Sequence, residues 1–160
     1  MNSLTTEQQG DGFYIAQFKN SDLAIFSYYV ESNNEAFVID PTYDTTVYRE
    51  MLDKRASTLK FVLMTHYHAD YLAGHTELKV PIFMGEHAKR AVNGFELTER
   101  KDGESFTIGN ITLVTHHTPG HTFESSCYEL YDAQKKPICL FTGDTVFLGD
   151  VGRPDLAVAG

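Results

Sequence analysis

Five of the seven histidines in this 160-residue chain fall in two tight clusters, each following an apolar run. The first is Thr65-His66-Tyr67-His68-Ala69-Asp70, directly after the apolar run 59–64. Extended backbone sends alternate side chains to one side, so this spacing lets His66, His68 and Asp70 converge. The second is His116-His117-Thr118-Pro119-Gly120-His121-Thr122, in which Pro119-Gly120 dictates a turn and leaves His121 on its far side. A third signal is Phe141-Thr142-Gly143-Asp144, an apolar run ending in Gly-Asp. Imidazole nitrogen and carboxylate oxygen are ligands for zinc, iron or manganese, and no cysteine stands among these groups, which argues against a structural thiolate zinc site. Each signal alone has a plainer explanation: Asp70 caps a helix, the histidines are polar loop residues, Gly-Asp is a turn. Three loops that each end a strand and each carry a metal-type ligand point together to a metal site.

The elements that position these loops are legible as short apolar runs. Runs 13–18, 23–30 and 36–39, rich in Phe, Tyr, Ile and Val, are expected to form a three-strand meander. Asp40-Pro41 ends the third, because a residue before proline is pushed to extended geometry. Val47, Tyr48, Met51 and Leu52 recur at helical spacing and predict a helix over 45–56. The buried strand 59–64 follows, then a two-turn helix over 71–78 with Asp70 available as its cap, a strand at 80–84 and a short helix at 86–92. Runs 105–108 and 111–115 flank Gly109-Asn110, a hairpin signal. Runs 125–131 and 137–141 read as a second hairpin, and the Gly- and Asp-rich remainder reads as loop. The absence of a regular βαβ rhythm favours a mixed or antiparallel sheet with helices on one face.

Composition bounds the function classes. One domain's worth of chain, 42% apolar, is enough for a core. The net charge of −9 argues against a nucleic-acid module, which needs a clustered basic face, while leaving room for a small anionic ligand on one or two arginines. No apolar run approaches the roughly 20 residues of a membrane span. The polar start MNSLTTEQQG lacks the marks of a signal peptide, and the two cysteines, Cys127 and Cys139, are expected to be reduced, buried thiols of a cytoplasmic protein.

THYHADY, HTPGHT and FTGDT, in this order, resemble the metallo-β-lactamase-fold superfamily, and the closing GDTVFLGDVGRPDL resembles its persulfide dioxygenase branch, often fused to rhodanese domains and related to the hydroxyacylglutathione hydrolases (glyoxalase II). The resemblance covers roughly residues 12 to 157. It implies an α+β fold, the αββα sandwich of that superfamily, with residues 1–11 a polar lead and 12–160 the domain. It also implies that the C-terminal portion of the fold lies beyond this chain, so that either the chain is a shortened form of the domain, with poor stability, or a second copy supplies cover by swapping elements.

The resemblance further implies one Fe(II) per chain held by His66, His121 and Asp144, with zinc the alternative. His68 and Asp70 would orient ligands or water. Asp40 either belongs with them or serves its turn. Arg153 is a candidate to meet a substrate carboxylate, or else an ion-pair partner of Asp150 or Asp155; Thr122 either contacts substrate or fixes the turn. The implied substrates are a low-molecular-weight, glutathione-type persulfide and O2. Two departures separate the chain from a two-zinc hydrolase: Tyr71 stands where the motif usually has a histidine, and the superfamily's last metal histidine has no counterpart before Gly160. A zinc thioester hydrolase and a catalytically impaired metal-binding fragment remain the competing expectations. His75, His87, His116 and His117 are expected not to bind metal, with His87 exposed at a helix start.

Overall fold

A computed structural model describes residues 1–90 and 95–154. A seven-stranded sheet comprises β1 (Asn2–Gly10), β2 (Phe13–Asn20), β3 (Ile25–Ser32), β4 (Glu35–Ile39), β5 (Thr58–Leu63), β6 (Ile82–Gly85) and β7 (Thr98–Arg100), side by side in chain order. β1 to β4 pair antiparallel, whereas β4 to β7 pair parallel. The helix α1 (Thr46–Arg55) makes the crossover between β4 and β5. It ends at Ala56, whose left-handed φ of 51° lets its N–H close back on Leu52 and Asp53. A second, antiparallel sheet is ordered β11 (Pro137–Phe141), β10 (Ser126–Tyr131), β9 (Ile111–His117), β8 (Ser105–Ile108), and a small ribbon joins β12 (Val146–Phe147) to β13 (Asp150–Val151).

Strand alternation splits the apolar residues between two cores. Tyr14, Ala16, Phe18, Ala36, Val38, Val62 and Met64 face the helix side, where Tyr48 and Met51 of α1 are buried. Ile15, Val30, Phe37, Ile39, Phe61 and Leu63 face the second sheet, meeting Ile111, Leu113, Tyr128 and Leu130. The central strands of the first sheet are thus covered on both faces, which is why β4 reads as a continuous apolar run, not as an alternating one. The sheets pack face to face with a helix on the first, as the α+β sandwich requires. On the second sheet Leu140 is exposed, as are Val146, Phe147 and Val151 of the ribbon.

The structure departs from the sequence expectations in four places. The polar lead is a strand, β1; it lies at the sheet's edge with its side chains in water, so it needs no apolar alternation. No helix forms over 71–78. The backbone there bonds outward instead: Tyr43 N–H to Leu72 O, Gly74 N–H to Pro41 O, and a bridge between Thr42 and Ala73. Of the expected helix at 86–92 the described part is a single 3₁₀ turn, Ala88–Arg90, and 91–92 lie outside the described residues. The closing loop folds into the ribbon of β12 and β13.

A half-buried ion pair clamps α1 to the first sheet. Glu31 of β3 receives Arg55 Nε at 2.6 Å and the Tyr29 hydroxyl at 2.8 Å, and the Arg55 guanidinium sits 3.6 Å over the Tyr14 ring. Burial pushes the Glu31 carboxyl up, but hydrogen bonds from Arg55, Tyr29 and Ser57 outweigh it and hold its pKa below the ordinary value. A carboxylate depressed by folding stabilises the fold above its unfolded pKa, about 4.3 for glutamate, and that stabilisation is lost as pH falls through the folded value. Urea midpoints followed from neutral pH down through that window are therefore expected to drop more steeply for the native chain than for Glu31→Gln.

Candidate metal centre

The site is built outward from Asp40. β4 and β5 run parallel, so both end on the same edge of the sheet, with Ile39 opposite Leu63 and Asp40 N–H bonded to Leu63 O at 3.0 Å. Asp40 has a left-handed φ of 47° and is buried. Its Oδ1 accepts the Thr65 N–H at 2.9 Å and its Oδ2 accepts the Thr65 hydroxyl at 2.7 Å. That hydroxyl also lies 2.9 Å from His66 Nδ1. A threonine hydroxyl has one proton, and here it goes to Asp40, so the oxygen can only accept from His66 Nδ1–H. Proton and lone pair on the His66 ring are thereby assigned, and Nε2 is left as the ligand atom.

His66 is buried, and this desolvation, reinforced by the neighbouring His68 charge, lowers its pKa to about 4. Its Nε2 therefore carries a lone pair at neutral pH. That atom points at Asp144, 3.8 Å from Oδ2. His121 Nε2 comes to 3.6 Å of the same oxygen, and the two imidazole centroids are 5.0 Å apart. His121 Nδ1 lies 3.3 Å from the Arg153 carbonyl, which can only accept, so its Nε2 is likewise the free donor atom. One ligand atom from each of His66, His121 and Asp144 thus lies within 4.8 Å of the others. Tetrahedral ligands at about 2.1 Å from an ion are about 3.4 Å apart. Donor type, tautomer and spacing all fit a bound zinc- or iron-class ion.

The remaining expected groups divide. His68 lies beside His66, ring centroids 4.1 Å apart, but aims its Nε2 at Asp40 Oδ1, 3.1 Å away, an ion-pair distance without hydrogen-bond alignment. Burial works against a charge on His68, but the Asp40 carboxylate outweighs it and lifts its pKa. The His68 charge in turn holds the Asp40 carboxyl below its ordinary range against its own burial. Tyr71 packs on His68 with ring centroids 4.4 Å apart, and its hydroxyl reaches the Asp40 carbonyl at 3.4 Å. Asp70 does not converge with His66; it is exposed at the rim, and with no helix at 71–78 it caps nothing. Thr122 bonds Ser125, its hydroxyl 2.7 Å from Ser125 Oγ, so that group fixes the turn. Arg153 supplies its carbonyl to His121, and its side chain is exposed; the proposed partner Asp155 lies outside the described residues.

Several positions went unread in the sequence because their contacts are long-range. Glu124 Oε1 accepts the Tyr67 N–H, Ser126 N–H bonds Thr65 O, and the Tyr128 hydroxyl bonds Met64 O, so the start of β10 grips the loop that carries His66. Two glycines permit the close approach of the third loop. Gly143 has a φ of 49°, and a Cβ there would overlap the Thr65 hydroxyl. At Gly152 a Cβ would overlap the Asp144 carbonyl and crowd His121. Cys127 and Cys139 are both free thiols, Cys127 buried and Cys139 half-buried, and burial pushes the Cys139 thiol up to about 12.

Residues 21–159 match the family model described as the metallo-beta-lactamase superfamily. The chain belongs to that superfamily. Its members are metal-dependent enzymes, and the three-donor cluster agrees with that. The chain is 31% identical over 124 residues to the probable hydroxyacylglutathione hydrolase glo2 of Schizosaccharomyces pombe, covering 72% of this chain and 46% of that one. It is 38% identical over 106 residues to a hydroxyacylglutathione hydrolase of Brucella ovis, covering 64% and 39%. Among solved structures, a metallo-beta-lactamase of Staphylococcus aureus superposes with a TM-score of 0.84 at 32% identity, covering 91% of this chain and 47% of that one. ETHE1 of Myxococcus xanthus superposes with a TM-score of 0.75 at 23% identity, covering 89% and 62%, a likeness of fold. The chain spans under half the length of these curated relatives.

Removing the supports of the ligands tests the centre without touching a ligand. Asp40→Asn and Thr65→Val are each expected to weaken metal binding by about 10- to 100-fold, the range for groups that orient a metal's ligands. Competition against a chromophoric chelator reads this directly. Gly152→Ala is expected to do the same by displacing Asp144 and His121, while a Gly120→Ala control, with open space at that Cβ and no left-handed φ, keeps native affinity.

Proposed function

We propose that this chain carries the mononuclear centre of a persulfide dioxygenase, with His66, His121 and Asp144 holding Fe(II). What supports the reading is the disposition of the motif: two imidazoles and one carboxylate face a common point, while His68 and Tyr71 are drawn onto Asp40 and Asp70 stays at the rim. A second ion beside the first would need donors from that latter group. Two histidines and one carboxylate are the facial set of non-haem iron oxygenases.

Bound iron supplies the redox capacity for RSSH + O2 + H2O → RSH + H2SO3, in which the outer sulfur is oxidised by four electrons and O2 accepts them. The chain's own groups bind and orient. Asp40 and Thr65 keep a proton on His66 Nδ1, and the Arg153 carbonyl keeps one on His121 Nδ1, so both rings present Nε2. His66 lies at the buried end of the site and the half-exposed Asp144 at its mouth, so a small thiol-borne substrate enters on the Asp144 side. Arg153, an exposed residue whose carbonyl meets His121 Nδ1, is the candidate anion contact for a carboxylate of a glutathione-type substrate, its forked guanidinium suiting that role.

The identity to two hydroxyacylglutathione hydrolases favours a second reading, a zinc-dependent thioester hydrolase on the same three donors, in which the metal activates water. Metal content and substrate separate the two. Anaerobically purified, iron-loaded protein is expected to consume O2 with glutathione persulfide, releasing sulfite and thiol in equal amounts, and His121→Ala is expected to lose both iron and uptake. Cleavage of a hydroxyacylglutathione by zinc-loaded protein, with no O2 uptake in the iron form, would instead establish the hydrolase. Equal rates in native and His121→Ala protein would reduce the chain to a metal-binding module.

A further inference from the structure

A second cluster of donors lies apart from the three ligands. Glu86 and His87 follow β6 in the first sheet, and His117 ends β9 in the second. One ligand atom of each lies within 4.8 Å of the other two, and none of the three residues belongs to the first centre. His87 was expected to stand exposed at a helix start. Instead it is half-buried, its ring centroid 5.1 Å from that of His117 and 5.1 Å from that of Phe123.

The hydrogen bonds around His117 assign its ring as those around His66 do. His117 Nε2 is 2.9 Å from the Phe123 carbonyl. A carbonyl only accepts, so Nε2 carries the proton and Nδ1 keeps its lone pair. Nδ1 is the atom that faces Glu86, 3.7 Å from Oε1. The His117 backbone is held as well, its N–H donating to Asp102 Oδ1 at 2.9 Å. An imidazole whose far nitrogen is tied to a backbone carbonyl is the usual setting of a metal-bound histidine. His87 has a left-handed φ of 73°, uncommon for a residue other than glycine, and its ring packs against that of His117.

We propose that Glu86, His87 and His117 form a second divalent-metal site, of the zinc class, that links the end of β6 to the end of β9. Two imidazoles and one carboxylate are donors that zinc accepts, with water completing a tetrahedron. The Glu86–His117 separation is already close to the roughly 3.4 Å expected between tetrahedral zinc ligands, and His87, on a turn, has to draw in by about an ångström. An ion here cross-links the two sheets beside the loop 117–123. That loop runs on from His117 through Pro119-Gly120 to His121, so the second ion braces the segment that delivers a ligand to the first.

The test is zinc equilibrium dialysis with elemental analysis of the native chain and four variants, each checked for native circular dichroism. The native chain is expected to hold about two zinc ions, and Glu86→Ala and His87→Ala about one each. His121→Ala, which breaks the first centre, is expected to keep about one, and added zinc is expected to raise its melting temperature. The double variant His87→Ala/His121→Ala is expected to show no such rise. Loss of all bound zinc in His121→Ala, or a stoichiometry in either Glu86→Ala or His87→Ala equal to that of the native chain, would overturn the assignment. The His121→Ala arm keeps this outcome separate from the fate of the dioxygenase reading, because it asks for zinc at the second site with the first disabled.

Discussion

One buried carboxylate organises the candidate centre. Asp40 sits where β4 ends, out of contact with water, and a charge in that position persists only when its surroundings repay its lost hydration. The repayment comes from Thr65, through both its backbone N–H and its hydroxyl, and from the His68 ring. Each of these contacts has a consequence beyond Asp40. The Thr65 hydroxyl, its hydrogen committed to Asp40, dictates the protonation of His66; the attraction to His68 aims that ring's Nε2 at Asp40, although the ring itself stays beside His66. A single desolvated charge thus decides which histidine leaves a free nitrogen facing His121 and Asp144 and which directs its nitrogen at Asp40.

The sheet topology makes this arrangement possible. The change from antiparallel to parallel pairing at β4 brings the ends of β4 and β5 to one edge, where open sheets generally place their ligands. The second sheet supplies the other two donors from the loop after β9 and the loop after β11. The sheets are held in register near the site by Tyr128 on Met64 O, Ser126 on Thr65 O and Glu124 on Tyr67 N–H, all contacts between their opposed ends. Gly143 and Gly152 let the Asp144 loop come within van der Waals distance of Thr65 and His121. The three candidate ligands therefore stand on short loops that follow strand ends and are tied to one another across the sheets.

Much of the fold was legible because the relevant signals are local. The alternating and continuous apolar runs located β2 to β5, Gly109-Asn110 located the hairpin of β8 and β9, and the spacing of Val47, Tyr48, Met51 and Leu52 located α1. What was not legible depended on partners far along the chain. β1 carries no apolar pattern, since an edge strand needs only a neighbour to pair with. The segment after Asp70 has composition suited to a short helix, yet its backbone bonds the 41–43 segment, a choice that exists only once β4 and β5 are side by side.

The same division runs through the site. Residue type and spacing pointed to the loops around His66, His121 and Asp144 as carriers of metal-type ligands, because lone pairs and turns are written locally; the choice of these three came from the resemblance to a family. Spacing could not tell His66 from His68, since alternate residues of an extended segment are equivalent until something on one side attracts one of them. Nor could it draw Glu86, His87 and His117 together, for they come from two sheets whose packing is a property of the whole core. Chemistry of the donors belongs to the sequence; which nitrogen bears the proton, and which donors meet, was decided by burial of Asp40 and by the meeting of the two sheets.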